Sequence, residues 1–127
     1  MDLHTLCIAG DVKGVITRCK ISPSSIDDLQ YGKSALHHAC LRGHVDCVKA
    51  LLICGASANV RDTQTGETPL HVACALGLTS IAMLICDREG GSIHVKDFRY
   101  EWSALHHACE RGHCETVCAL LDRQVNP

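Results

Sequence analysis

Three copies of one seven-residue phrase constrain this chain more than any other feature. Ser34 to Cys40 and Ser103 to Cys109 both read SALHHAC, and Thr68 to Cys74, reading TPLHVAC, stands almost midway between them. Leu36, Leu70 and Leu105 therefore fall 34 and 35 positions apart, and Gly43, Gly77 and Gly112 each follow by seven. Self-similarity at a fixed period means stacked units, none able to bury its apolar face alone. At 127 residues the stack makes one structural unit rather than two domains.

Each unit reads as two short helices. Ser34, Thr68 and Ser103 carry hydroxyls able to accept from a free first-turn amide, and Pro69 suits the position just inside such a start. Leucine, alanine and cysteine then recur at i, i+3 and i+4, as in Leu70, Ala73 and Cys74, and Gly77 ends the helix. Second helices follow with stripes at Val45, Val48, Leu51 and Leu52, at Ile81, Leu84 and Ile85, and at Cys114, Val117, Leu120 and Leu121. Leu3, His4, Cys7, Gly10, Val12 and Val15 lie 33 positions before their counterparts, so Leu3 to Cys19 reads as a degenerate first unit. Its missing leading turn, with Gly14 and Arg18 where the next copy has Cys47 and Leu51, predicts a terminal cap.

The period, the Thr-Pro-Leu-His start and the glycine position resemble those of ankyrin repeats, and the resemblance covers nearly the whole chain. It implies an all-α ankyrin-repeat solenoid of stacked helix-turn-helix units with β-turn fingers. Four repeats are expected, at approximately 1–29, 30–63, 64–98 and 99–127. GASANVRD at 55–62 resembles the family's inter-repeat loop, whereas GGSIHVKD at 90–97 departs from it at Ser92 and His94; single extra residues fall before Thr68, near Glu89 and near Trp102. The resemblance further implies that His37, His71 and His106 hydrogen-bond locally to hold finger to helix. It also implies a concave groove of fingers and first helices that binds proteins.

Composition narrows the function. Aromatics are only 3% of residues, so the core must be Leu, Ile, Val, Ala and Cys. Ten cysteines without a basic-then-apolar leader or an Asn-x-Ser/Thr site predict a reducing, intracellular setting, cytoplasmic or nuclear. A net charge of -2 offers no field for a nucleic-acid backbone, and no apolar run has the length for membrane insertion.

Chemistry finds little footing. His37, His71 and His106 recur with the fold, where a catalytic histidine would be singular. Cys7, Cys40, Cys74 and Cys109 are likewise one repeat position and read as packing residues. The sharpest metal candidate is the group His106, His107, Cys109, His113, Cys114 and Cys118, but its spacings match no zinc motif, so no metal is expected. Phosphate loops, dinucleotide fingerprints, zincin helices and nucleophile elbows are missing, and neither cofactor nor catalysis is expected.

The remaining candidate is the groove. On the first helices the positions opposite the buried stripe are His38, Leu41 and Arg42, then Val72, Ala75 and Leu76, then His107, Glu110 and Arg111. Val72 and Leu76 form an expected apolar centre between two His and Arg pairs. Tyr31, Lys33 and Glu67 join this face from the fingers. Three of four aromatics, Phe98, Tyr100 and Trp102, alternate with Arg99 and Glu101, which predicts three rings on one side of an extended finger. The competing reading is that these rings staple a long turn onto its neighbour. The predicted partner is a protein or peptide, acidic and carrying an apolar anchor. Alternatives are a recognition arm of a larger enzyme and a stand-alone inhibitor of an enzyme such as a kinase. The arm is suggested by Val125-Asn126, which resembles the start of another loop, and by Cys118, Leu120 and Leu121, which are apolar for a terminal cap.

Overall fold

The structure is a computed structural model and describes residues 2–88 and 93–125, the side chains of 123–125 excepted. Glu89, Ser92 and Asn126, on which parts of the loop readings rest, lie outside the described residues. Eight α-helices and no strand occur among the described residues: α1 (Leu3–Ala9), α2 (Val12–Ile21), α3 (Ala35–Arg42), α4 (Val45–Ile53), α5 (Pro69–Ala75), α6 (Thr79–Arg88), α7 (Ala104–Glu110) and α8 (Cys114–Val125). None is long and apolar enough to cross a membrane.

The repeated phrase builds its own helix start. The Ser34 and Thr68 side chains accept from the amides of His37 and His71, while each ring takes the cap residue's amide on Nδ1, at 3.2 and 3.1 Å. This is a capping box with histidine where Glu or Gln is usual. At the other end Gly77 adopts φ 71, and a Cβ there would stand 2.6 Å from the His113 ring, so both the backbone and the neighbouring layer require glycine.

First helices pack side by side in the order α1, α3, α5, α7, and second helices in the order α2, α4, α6, α8. Helices of seven to twelve residues gain stability from such stacking rather than from propensity. Leu36, Leu70, Val48, Leu51, Ile81 and Ile85 fill the space between rows, with Cys7, Cys40, Cys47 and Cys74 as small apolar spacers. Burial pushes the Cys7 and Cys74 thiols up to about 12.

The last helix pair departs from the expected stripes. Cys109, Cys114 and Leu121 are exposed and Val117 is half-buried, because no described element packs on their outer side. Thr116 is buried instead, its hydroxyl 2.6 Å from that of Thr79. At the opposite end, α2 presents Ile16 and Ile21 to solvent.

Candidate partner-binding groove

Three fingers precede α3, α5 and α7, and each is closed by its own backbone. Gln30 and Lys33 exchange N–H···O bonds of 2.8 and 3.1 Å, the Asp62 amide donates to the Glu67 carbonyl at 2.8 Å, and the Asp97 amide to that of Trp102 at 2.9 Å. Asp62 and Asp97 also hold their turns by side chain: Asp62 Oδ1 accepts from the Gln64 amide at 2.8 Å, and Asp97 Oδ1 from those of Tyr100 and Trp102 at 2.9 and 3.3 Å. Burial resists ionisation of both carboxyls. The Lys33 ammonium 2.8 Å from Asp62, and the amides and His107 ring around Asp97, outweigh it and hold both below the usual carboxylate range.

The fingers are bonded to one another and to the helices. Thr63 donates to Gly32, Phe98 to Thr65, and Arg61 spans from the Gly66 carbonyl to that of Lys96. His37 Nε2 lies 2.8 Å from the Glu67 carbonyl, and His71 Nε2 3.0 Å from that of Trp102. A carbonyl can only accept, so both rings carry their proton on Nε2 and leave Nδ1 to accept at the cap. Each such histidine fastens the finger of the following unit. Burial lowers the pKa of both.

The predicted binding residues divide into two sets. Tyr31, Arg42, Leu76, Phe98, Arg99, Tyr100 and Arg111 are exposed, and Lys33, His38, Glu67 and Trp102 are partly so. Val72 is not an exposed apolar centre: at 6% exposure it packs into the core, leaving Leu76, 47% exposed, to supply that surface. His107 is also buried, its Nε2 2.7 Å from Asp97 Oδ2 and 3.7 Å from Glu67 Oε2. Both sit one turn nearer the fingers than Leu76 and Arg111, and there His107 meets Asp97 of the finger leading into its own helix.

The last finger is a turn, not an extended strand. Residues 98–100 bend, and Glu101 takes a left-handed φ of 56 at the position Gly66 occupies one unit earlier. Phe98 lies against the preceding finger, where a Cβ on Gly66 would stand 2.6 Å from its ring and the Arg61 guanidinium stacks 4.6 Å from its centre. Tyr100 and Trp102 form a separate step with ring centres 4.9 Å apart, backed by the His107 ring at 5.3 Å, with Arg99 over Tyr100 at 5.6 Å. Phe98 thus does the stapling, while Tyr100 and Trp102 form a ledge beside Arg99, which also lies 3.9 Å from Glu67.

Three features went unrecognised in the sequence. His44 and His113, each after the helix-ending glycine, reach back from Nε2 to the carbonyls of Ile8 and Ala75, at 3.1 and 3.0 Å. The Gly-His pairs at 43–44 and 112–113 were the visible signal. Asp62 and Asp97 were visible as matching Val-Arg-Asp and Val-Lys-Asp triplets. The third is the trio Glu67, Asp97 and His107, whose ligand atoms lie within 4.8 Å of one another. Its 2.7 Å contact is a hydrogen bond, shorter than the spacing of about 3.3 Å between ligands on one tetrahedral zinc with 2.0–2.1 Å bonds.

Two rows of helices, with α3, α5 and α7 each histidine-capped and their fingers bonded to one another, define a helical repeat protein. The family model for ankyrin repeats in three copies matches residues 3–62 and 36–127. The chain belongs to the ankyrin-repeat family. It is 38% identical over 81 residues to human ankyrin repeat and SOCS box protein 16, covering 64% of this chain and 17% of that protein. It is 42% identical over 74 residues to mouse protein phosphatase 1 regulatory subunit 27, covering 58% and 47%. With the glycerophosphocholine phosphodiesterase gde1 of Schizosaccharomyces pombe it shares 31% over 129 residues, covering 94% and 11%. The chain therefore spans less than half the length of each of these relatives. Ankyrin repeats are modules that bind partner proteins.

Proposed function

We propose that this chain binds an acidic segment of a partner protein along the face made by the fingers and first helices, and performs no catalysis itself. The observation that carries this reading is the Tyr100–Trp102 step with Arg99 stacked beside it and Arg111 exposed at the end of α7. Aromatics and arginine dominate interface hot spots, and guanidinium groups recognise carboxylates with two parallel hydrogen bonds. Leu41 on α3 and Leu76 at the end of α5 add exposed apolar side chains to the same face, and Arg42 supports a second acidic contact.

The test is peptide selection against the folded chain, followed by Tyr100→Ala. Tyr100 is exposed, so its truncation should leave the melting temperature unchanged while weakening binding by about 2 kcal/mol, the hot-spot threshold. Selected peptides without acidic residues, or binding indifferent to Tyr100→Ala, would refute the assignment. A second reading, a recognition arm within an enzyme, draws support from the phosphodiesterase relative, of which this chain matches only 11%. In either reading the groove is the working surface, and a reducing intracellular compartment suits the chain's ten cysteines.

A further inference from the structure

Folding alone does not account for Tyr31. Gln30 to Lys33 forms a two-residue turn whose central residues, Tyr31 and Gly32, both lie in the left-handed region at φ 57 and 80. Asn-Gly or Asp-Gly is the favoured pair in such a turn, and tyrosine there is strained. No packing offsets that strain: at 83% exposure Tyr31 is the most exposed large apolar-bodied side chain among the described residues.

The turn beneath it is nevertheless firmly held. Gly32 accepts from the Thr63 amide at 3.1 Å, a Cβ on Gly32 would collide with the Thr63 hydroxyl, and Lys33 pairs with buried Asp62 at 2.8 Å. A strained backbone that the surroundings over-determine, presenting an uncovered ring from a rigid base, is the pattern of a binding residue. Because the turn is already ordered, fixing it costs a partner little.

We propose that Tyr31 is a second anchor of the groove, and that the partner is an extended acidic segment with two apolar side chains about five or six residues apart. One would sit on Tyr31 and the other on the Tyr100–Trp102 step; the inference rests on the groove reading above. The spacing follows from the stacking. The finger of Tyr31 leads into α3 and that of Tyr100 into α7, with α5 between them. Two layers of about 8–10 Å each, crossed at about 3.3 Å per extended residue, require five or six residues. The intervening finger, Asp62 to Glu67, has no aromatic to contribute.

Binders are first selected from a random dodecapeptide phage library on the wild-type chain, and the best peptide is titrated by fluorescence anisotropy. Tyr31→Asn places a residue suited to the left-handed turn, so it should keep or raise the melting temperature while weakening that peptide at least about 10-fold. Shortening the gap between the peptide's apolar residues by two should weaken it similarly. Normal binding by Tyr31→Asn together with a loss at Tyr100→Ala would leave the groove reading standing and refute the second anchor. A melting temperature that falls in Tyr31→Asn would refute the strain argument on which it rests. Indifference to both variants, or no enriched peptide, would count against groove and anchor alike.

Discussion

Replacing His71 and His106 by alanine, two substitutions in the same phrase, should give very different losses of stability. His71 is fully buried; its Nδ1 holds the Thr68 amide at 3.1 Å and its Nε2 the Trp102 carbonyl at 3.0 Å. His71→Ala strands the buried Thr68 N–H, at about 1–3 kcal/mol. The Trp102 carbonyl keeps its bond from the Asp97 amide, so losing the second bond there costs only about 1 kcal/mol. The vacated ring adds about 1 kcal/mol or more of cavity cost, and alanine's better helix propensity returns about 0.5 kcal/mol. The sum is about 3 kcal/mol. His106 caps Ser103 in the same way, yet its ring is exposed and water can replace it, so His106→Ala should cost under about 1 kcal/mol. Urea titrations followed by circular dichroism would measure both. Since His71 ties α5 to the finger leading into α7, its loss should also loosen α7 and α8 first, visible as faster amide exchange there. Equal losses at the two positions would refute the claim that the histidine works by fastening the following finger.

Acid should destabilise the fold well above the carboxylate range. Burial holds the folded-state pKa of His37 and His71 below the usual 6.5, so below about pH 6.5 the unfolded chain takes up protons that the folded chain refuses, and stability falls by up to about 1.4 kcal/mol per pH unit for each ring. Asp62 and Asp97 have lowered values and should add to the loss only below about pH 4; an identical urea midpoint at pH 7.5 and 5.5 would contradict the histidine argument. Leu70→Ala should cost about 2–5 kcal/mol and Leu41→Ala under about 1 kcal/mol, and similar midpoints for the two would show that the helix faces are misassigned. Alkylation of the native protein should modify Cys109, Cys114 and Cys118 and spare Cys7, Cys40 and Cys74, and a reductant should leave the melting temperature unchanged; early labelling of Cys74 would refute its burial.

The architecture was legible because every unit repeats the same solution to the same local problem. In the three full units a hydroxyl caps the first helix, glycine ends it, and Leu, Ala and Cys share one face, so the phrase at Thr68 to Gly77 carries helix start, stripe and stop together. Val45 and Leu84 are half-buried, and stripe residues become exposed only at the last pair. Its residues are the right kind for burial, but burial needs a neighbour, and repetition along a sequence cannot register that a layer has a covered side and an open one. Cys109 and Leu121 are exposed for that reason, although Cys40 and Leu52 in the same register are not.

The binding face was less legible because helical periodicity locates a residue around the helix axis and says nothing about what covers it from above. Val72 and Leu76 share a face by that measure, yet the first is 6% exposed and the second 47%, so one is core and the other surface. His107 shows the same effect with chemistry added. The finger that covers it brings Asp97 within 2.7 Å, turning a supposed surface cation into a buried support for the Trp102 ring. The aromatic run was misjudged because alternation implies an extended strand, whereas Asp97 folds residues 98–100 into a turn by accepting the Tyr100 and Trp102 amides. That turn separates Phe98 from Tyr100 and Trp102, so one ring braces the finger while the other two stack on each other beside His107.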